Sequence, residues 1–224
     1  MRLLLVPAIA FACLATGAWA AGADTAAPGA SAASPAAVIQ RASSRVLDAL
    51  NENKAKLKDD PALANELVRK YLLPDFDFDL TSQLVLGRYW RAATPAQRKD
   101  FEAGFLHYLT STYAKGLQQF NGAKIEVLPF RGDADGKYVR VRSRLIIPDH
   151  EPIEVDYALT KVSGDWKVFD IIIAGISYVK TYQGEFQSEV RRTSLAALIK
   201  RLQNAQVPAT VTAMKAATPA SGGR

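Results

Sequence analysis

The chain has 224 residues, 49% of them hydrophobic, and 28 basic against 22 acidic side chains give it a formal charge of +6. That length is ample for one folded domain or two small ones, and the basic residues form no long block of the kind that grips nucleic acid. A single cysteine and two histidines exclude a disulfide framework and leave no H-x-x-x-H or cysteine-pair spacing for a metal site.

Met1-Arg2 is a short positive start, Leu3 to Phe11 an unbroken apolar run, and Ala18-Trp19-Ala20 a small-x-small cleavage site. Residues 1–20 therefore read as a cleavable export signal, with the mature chain starting at Ala21. The apolar run is shorter than the roughly 20 residues that a spanning helix needs. Cleavage before Cys13, which would make a lipoprotein, is the weaker alternative, because Ala10 stands where a larger aliphatic residue is usual. Removal of the signal takes away the lone cysteine and Arg2, so the charge falls to +5 and the core carries stability without disulfides. Residues 21–34 and 206–224 are rich in Ala, Gly, Pro and Ser and read as a flexible leader and a disordered tail around a folded domain at 35–205.

Ser34-Pro35 combines an N-cap with a first-turn proline and opens a helix to about Lys58, with Val38, Ala42, Val46, Ala49, Leu50 and Leu57 along its buried stripe. Asp60-Pro61 opens a second helix ending near Tyr71, and Asp79 to Gly87 forms a short third one. Thr94-Pro95 opens the longest, to about Leu117, whose Phe101, Phe105, Leu109 and Tyr113 recur every four residues.

After Gly122 the period becomes two. Ile125 and Val127, then Val139, Val141 and Leu145, then Ile153, Val155, Tyr157 and Leu159 alternate with polar residues. One sheet face is thus apolar. The other sets Arg140, Arg142 and Arg144 beside Glu154 and Asp156, which cross-strand pairing explains without a ligand. Ser163-Gly164 is a two-residue hairpin signal. If Val162 pairs with Asp165, then Trp166, Val168, Asp170 and Ile172 face inward. A longer loop would put Phe169, Ile171 and Ile173 there instead. Residues Ile176 to Arg192 return to a helical pattern, and Leu195, Leu198, Ile199 and Leu202 mark a last amphipathic helix. The order predicts an α+β fold, with an antiparallel four-stranded sheet covered on one face by helices.

Chemistry is sparse. His107 lies off the apolar stripe and His150 in a Pro-Asp-His-Glu-Pro turn, so both read as surface residues. No phosphate loop, nucleophile elbow or acidic calcium loop is present. Asp75, Asp77 and Asp79 alternate in one segment, where an N-cap at Asp79 or Asp77 and a solvated loop edge account for them. Asp170, if inward, is either a polar tether or a general base for an isomerase or dehydratase. Small residues such as Ser143, Ala103 and Gly104 among large apolar ones can leave a cavity. So much apolar inner surface with so little chemistry favours a container over a catalyst, and no metal or cofactor is expected.

Three segments carry a resemblance: Leu73-Pro74-Asp75-Phe76-Asp77-Phe78, Leu84-Val85-Leu86-Gly87-Arg88-Tyr89-Trp90-Arg91 and Thr94-Pro95-Ala96-Gln97-Arg98. Pro129-Phe130-Arg131-Gly132-Asp133, Trp166-Lys167-Val168-Phe169-Asp170-Ile171 and Gly175-Ile176-Ser177 extend it. Together they resemble the MlaC (toluene-tolerance, phospholipid-binding) family of periplasmic proteins over nearly all of Val38 to Gln203. The resemblance implies a nuclear-transport-factor-like cone with added helices, and a pocket that holds phospholipid acyl chains. It further implies a shuttle that maintains outer-membrane lipid asymmetry, and a monomer is expected because a shuttle gains from small size. Its implied partners are an outer-membrane lipoprotein–porin complex and an inner-membrane ABC transporter with a ring-forming substrate-binding subunit. Candidate lipid-binding residues from the helices are Val85, Leu86, Tyr89, Trp90, Phe105, Leu109 and Tyr113. From the sheet they are Val127, Val141, Val155, Tyr157 and Val168, with Ile176 and Val179 beyond it. A carrier of another apolar molecule is the alternative, beside the Asp170 enzyme.

Overall fold

The computed structural model describes residues 34–57, 63, 66–117 and 123–204, with the backbone alone for 113–117. The expected export signal, the leader, the tail beyond residue 204 and the start of the second helix lie outside the described residues.

Local chemistry sets most element starts. Helix α1 (Pro35–Glu52) begins where the Ser34 hydroxyl accepts the Ala37 amide at 3.2 Å, with proline in its first turn. It stops at Asn53, so the single helix expected through Lys58 is two, α1 and the short α2 (Lys54–Leu57). A π-helical turn (Val68–Leu72) and a 3-10 turn (Leu73–Asp75) follow. Helix α3 (Phe78–Leu86) is capped by Asp77, which accepts the Leu80 amide at 3.0 Å. Gly87 (φ 56°, ψ −119°) then turns the chain sharply into α4 (Arg88–Ala92), a conformation that favours glycine. Helix α5 (Pro95–Leu117) opens on a reciprocal cap, in which Gln97 N–H donates to the Thr94 hydroxyl at 3.2 Å and Thr94 N–H to the Gln97 side chain at 3.0 Å.

The sheet is an antiparallel meander in the order β1 (Lys124–Val127), β2 (Tyr138–Ile146), β3 (Ile153–Val162), β4 (Asp165–Ile173) and β5 (Ile176–Ser177). It has five strands where the sequence predicts four. Ile176 and Ser177 continue the helical pattern in sequence, but pair with Ile173 and Ile172 across a tight turn. Helices α6 (Tyr178–Arg192) and α7 (Leu195–Gln203) follow, capped by the hydroxyls of Ser177 and Ser194.

The Val162–Asp165 hairpin forms as the two-residue signal predicts. The parity it implies holds for only half of β4. Leu159 pairs with Val168 but Ala158 pairs with Asp170, so Phe169 is one extra residue on β4, a β-bulge. Before the bulge Trp166 and Val168 face inward with Leu159. After it Ile171 and Ile173 do, opposite Tyr157 and Val155, while Asp170 and Ile172 turn to the outer face. Helix α3 locks the bulge, since the Thr81 hydroxyl donates to the Phe169 carbonyl at 2.8 Å.

Two large apolar cores result. In one, Val38 and Ile39 of α1 pack on Val139, Val141, Leu159, Trp166 and Val168 of the sheet. In the other, α3 to α7 enclose Val85, Leu86, Phe101, Phe105, Tyr108 and Phe186. Phe186 meets Phe105 and Phe101 edge to face, 5.3 and 6.1 Å away between centroids, while Phe101 stacks on Phe105. Gly104 leaves no cavity there. A side chain on it would meet Leu202 and Gln203 of α7 at 3.2 and 3.3 Å, so its smallness lets two helices approach closely. Ala103 is exposed. A smaller cluster joins Ala49 and Leu50 of α1 to Leu57 and Leu67, with half-buried Val46, Leu63 and Tyr71 against it.

Candidate functional site

Strand register arranges the inner sheet face into four ranks. The first is Val139–Leu159–Val168, the second Val141–Tyr157–Ile171. The third runs Val127–Ser143–Val155–Ile173–Ile176 and the fourth Ile125–Leu145–Ile153. The first rank is buried throughout under Val38 and Ile39. In the second, Val141 is buried while Tyr157 and Ile171 are only half-buried. In the third, Ser143 and Val155 are buried, Val127 and Ile173 are half-buried and Ile176 is 47% exposed at the sheet edge. All three residues of the fourth rank are half-buried. The first rank is thus wholly buried and the fourth wholly half-buried, and apart from Tyr157 and Ser143 the face is aliphatic.

Helix α1 lies on the sheet through Val38 and Ile39, and Ala49 and Leu50 of its second half pack against Leu57 and Leu67 as well. Val127, Ile173 and the three residues of the fourth rank thus keep apolar surface that is not fully withdrawn, as an apolar guest requires. Such surface left to water disfavours the fold by about 25 cal/mol per Å².

Polar groups inside this face are satisfied. The buried Ser143 hydroxyl donates to the Val155 carbonyl at 2.7 Å. Burial pushes the Tyr157 phenol above its ordinary pKa, opposed by the nearby hydroxyls of Ser43 and Ser143.

The residues singled out in the sequence divide between the cores. Val127, Val141, Val155, Tyr157, Val168 and Ile176 share the inner sheet face. Val85, Leu86, Tyr89, Trp90, Phe105, Leu109 and Val179 gather in the helical core, with Val85, Leu86 and Phe105 fully buried. They do not line one common surface with the sheet set. The Tyr113 side chain lies outside the described residues. Missing from the sequence-derived set are Ile125, Leu145, Ile153, Ile171 and Ile173. The run Ile171-Ile172-Ile173 was the available signal, because consecutive apolar residues mark a strand covered on both faces.

Asp170 has a structural task. Its carboxylate accepts the Ser177 hydroxyl at 2.5 Å and the Val179 amide at 3.0 Å, on the outer face and away from the apolar ranks. The aspartates of the 75–79 segment disperse. Asp77 caps α3 and Asp79 accepts from Gln83 at 2.6 Å. Asp75 is not a solvated loop residue: it is buried and paired with Arg45 of α1. Among the described residues, no group of three or more His, Cys, Asp or Glu is placed to hold a metal. His150 is exposed and His107 half-buried. On the outer face Arg140 pairs with Asp156 at 3.6 Å, as the alternation predicts, and Arg144 pairs with Glu126 of β1 at 3.9 Å, a partner the alternation did not single out.

A family model described as MlaC protein matches residues 40–204. The chain is 26% identical over 173 residues to the intermembrane phospholipid transport system binding protein MlaC of Haemophilus influenzae, covering 76% of this chain and 81% of that one. It is 29% identical over 159 residues to the toluene tolerance protein ttg2D of Pseudomonas putida, covering 70% and 74%. Among solved structures, the phospholipid-binding protein of Ralstonia solanacearum, determined in complex with a phospholipid, matches with a TM-score of 0.72 at 30% identity, over 77% of this chain and 97% of that one.

Proposed function

The chain belongs to the MlaC family, and on that premise we propose that it is a phospholipid carrier whose acyl chains lie against the half-buried ranks of the inner sheet face. The observation that carries this is the difference in burial between Val139–Leu159–Val168 and Ile125–Leu145–Ile153, two wholly aliphatic ranks of one sheet face. The phospholipid in the Ralstonia relative supports the class of guest.

Energetics call for such a site. A diacyl phospholipid has about 30 methylenes, each worth roughly 0.8 kcal/mol when kept from water. Free diffusion of one lipid would forfeit on the order of 24 kcal/mol. A carrier replaces bilayer contacts with protein contacts of similar quality, and it must not exceed them or release stalls. In this reading Val127, Val155, Tyr157 and Ile176 belong to the lining together with Ile125, Leu145, Ile153, Ile171 and Ile173. The helical set around Phe105 and Phe186 is the rigid body that holds α6 against the bulged strand.

The carrier is exported by its cleavable signal and works in the periplasm. It exchanges lipid, while docked, with an outer-membrane lipoprotein–porin complex and an inner-membrane ABC transporter, and so maintains outer-membrane lipid asymmetry. The excess of basic residues speeds encounter with acidic surfaces.

Organic extraction of the purified protein followed by mass spectrometry tests this reading. Phospholipid in near-stoichiometric amount is expected. An empty extract, or one holding only a different apolar molecule, would overturn it.

A further inference from the structure

A cavity of about 140 Å³ lies at the hairpin end of the sheet, beyond the buried first rank and far along the strands from Ile125, Leu145 and Ile153. It is lined by Val38 and Arg41 of α1, by Asp75, and by Asp165, Trp166 and Lys167 of β4. Val38 and Trp166 are buried and form its apolar wall. The other four residues are charged. Lys167 donates to the Pro74 carbonyl at 2.7 Å, which fixes its ammonium and leaves two of three protons to give. Asp75 is already paired with Arg45. Arg41 stands one helical turn before Arg45 on the same face of α1, so the helix offers one guanidinium to Asp75 and the other to the cavity. Arg41 and Asp165 are exposed, and among the described residues neither has an ion-pair partner. With Asp75 neutralised, Arg41 and Lys167 face Asp165, a balance of one positive charge.

We propose that this cavity is a second ligand site, separate from the apolar ranks, for a small group that carries a phosphate or carboxylate together with an ammonium. Arg41 and Lys167 hold the anion, the guanidinium through two parallel N–H donors. Asp165 accepts the ammonium, and the methylenes between the two charges lie against Val38 and Trp166. A phosphate monoester carries about −1.5 to −2 at neutral pH, so one that also bears an ammonium keeps the net negative charge that the cavity complements. Inorganic phosphate would set a like charge beside Asp165, and a simple amine would meet two cations. A free metabolite and a lipid head group can both supply this chemistry. The inference stands on the cavity alone and does not depend on where acyl chains lie.

Nuclear magnetic resonance tests it on the purified protein, with the Trp166 indole and the Arg41 and Lys167 amides as reporters. The probes are phosphoethanolamine, inorganic phosphate and ethanolamine, each added alone, and vesicles of phosphatidylethanolamine or of phosphatidylglycerol. Phosphoethanolamine should shift these signals at concentrations where neither of its parts does. Arg41→Gln and Asp165→Asn should each weaken that binding about tenfold or more, the loss of one charge-assisted bond. Both positions are exposed, so the variants keep the fold and the parental content of co-purified phospholipid. A response to phosphatidylethanolamine vesicles, absent with phosphatidylglycerol and lost in Arg41→Gln, would assign the site to a head group. A response to free phosphoethanolamine alone would assign it to a soluble metabolite. Silence from both, equal binding of inorganic phosphate, or parental affinity in both variants would overturn the site, and none of these results bears on the carrier reading.

Discussion

The Asp170 carboxylate accepts the Val179 backbone amide at 3.0 Å, and this bond ties the start of α6 to the outer face of the bulged strand. With Ser177 on its other oxygen, Asp170 caps an element that the helical core depends on. Asp170→Ala should lower stability by about 1–3 kcal/mol, the cost of unpairing half-buried donors. Urea unfolding measures it, and lipid content in the folded protein should not change. A variant as stable as its parent would show that the tether contributes nothing.

The open ranks and the closed core respond differently to bulk. Ile153→Trp, in the half-buried fourth rank, should reduce co-purified phospholipid severalfold while the unfolding midpoint stays near the parent's. Val141→Trp adds the same ring where there is no room, and overpacking of this kind costs about 1–3 kcal/mol or more. Leu109→Trp alters the helical core and should leave lipid content alone. Full lipid occupancy in a folded Ile153→Trp protein would contradict the site.

Phe186 is fully buried and lies against Phe101, Phe105, Tyr108 and Tyr182. Phe186→Ala should cost about 3–5 kcal/mol, the range for a large ring deleted from a packed core. Its denaturation midpoint should fall accordingly. A loss below 1 kcal/mol, by contrast, would mean that the helices repack around the gap.

Glu185 gives a pH dependence. Its carboxylate lies 3.7 Å from the Arg201 guanidinium, which also grips Glu189 through bonds of 2.9 and 2.7 Å. Burial raises the Glu185 pKa above its ordinary 4.5, Arg201 opposes the shift and Glu189 adds to it. The folded state therefore holds this proton more tightly than the unfolded one. Its contribution is fully present below the unfolded pKa and is lost as pH rises through the folded one. At neutral pH Glu185→Gln should raise the unfolding temperature and flatten its decline from about pH 4 upward. Parallel curves for parent and variant would refute the assignment.

Several features were legible in the sequence because their causes are local. Ser34-Pro35, Thr94-Pro95-Ala96-Gln97 and the Ser163-Gly164 hairpin satisfy or turn backbone within a few residues, so the helix starts and the Val162–Asp165 pair follow from short motifs. The alternation that makes Val139, Val141, Val155 and Leu159 inward residues is likewise local.

The bulge at Phe169 is not local. Strand parity after the hairpin depends on which pairing buries more apolar surface across the whole sheet, and on Thr81 of α3 reaching the Phe169 carbonyl. Nothing in the neighbours of Phe169 encodes that choice, so Asp170 and Ile172 changed faces. The separation of the cores has the same origin: Phe105 and Val141 are equally apolar, and only helix packing decides that they never meet. Composition by itself determined that this chain would enclose much apolar surface with little chemistry. Tertiary structure alone decided where that surface stays half-buried, because strand register brings Ile125, Leu145 and Ile153 from three separate strands into one rank.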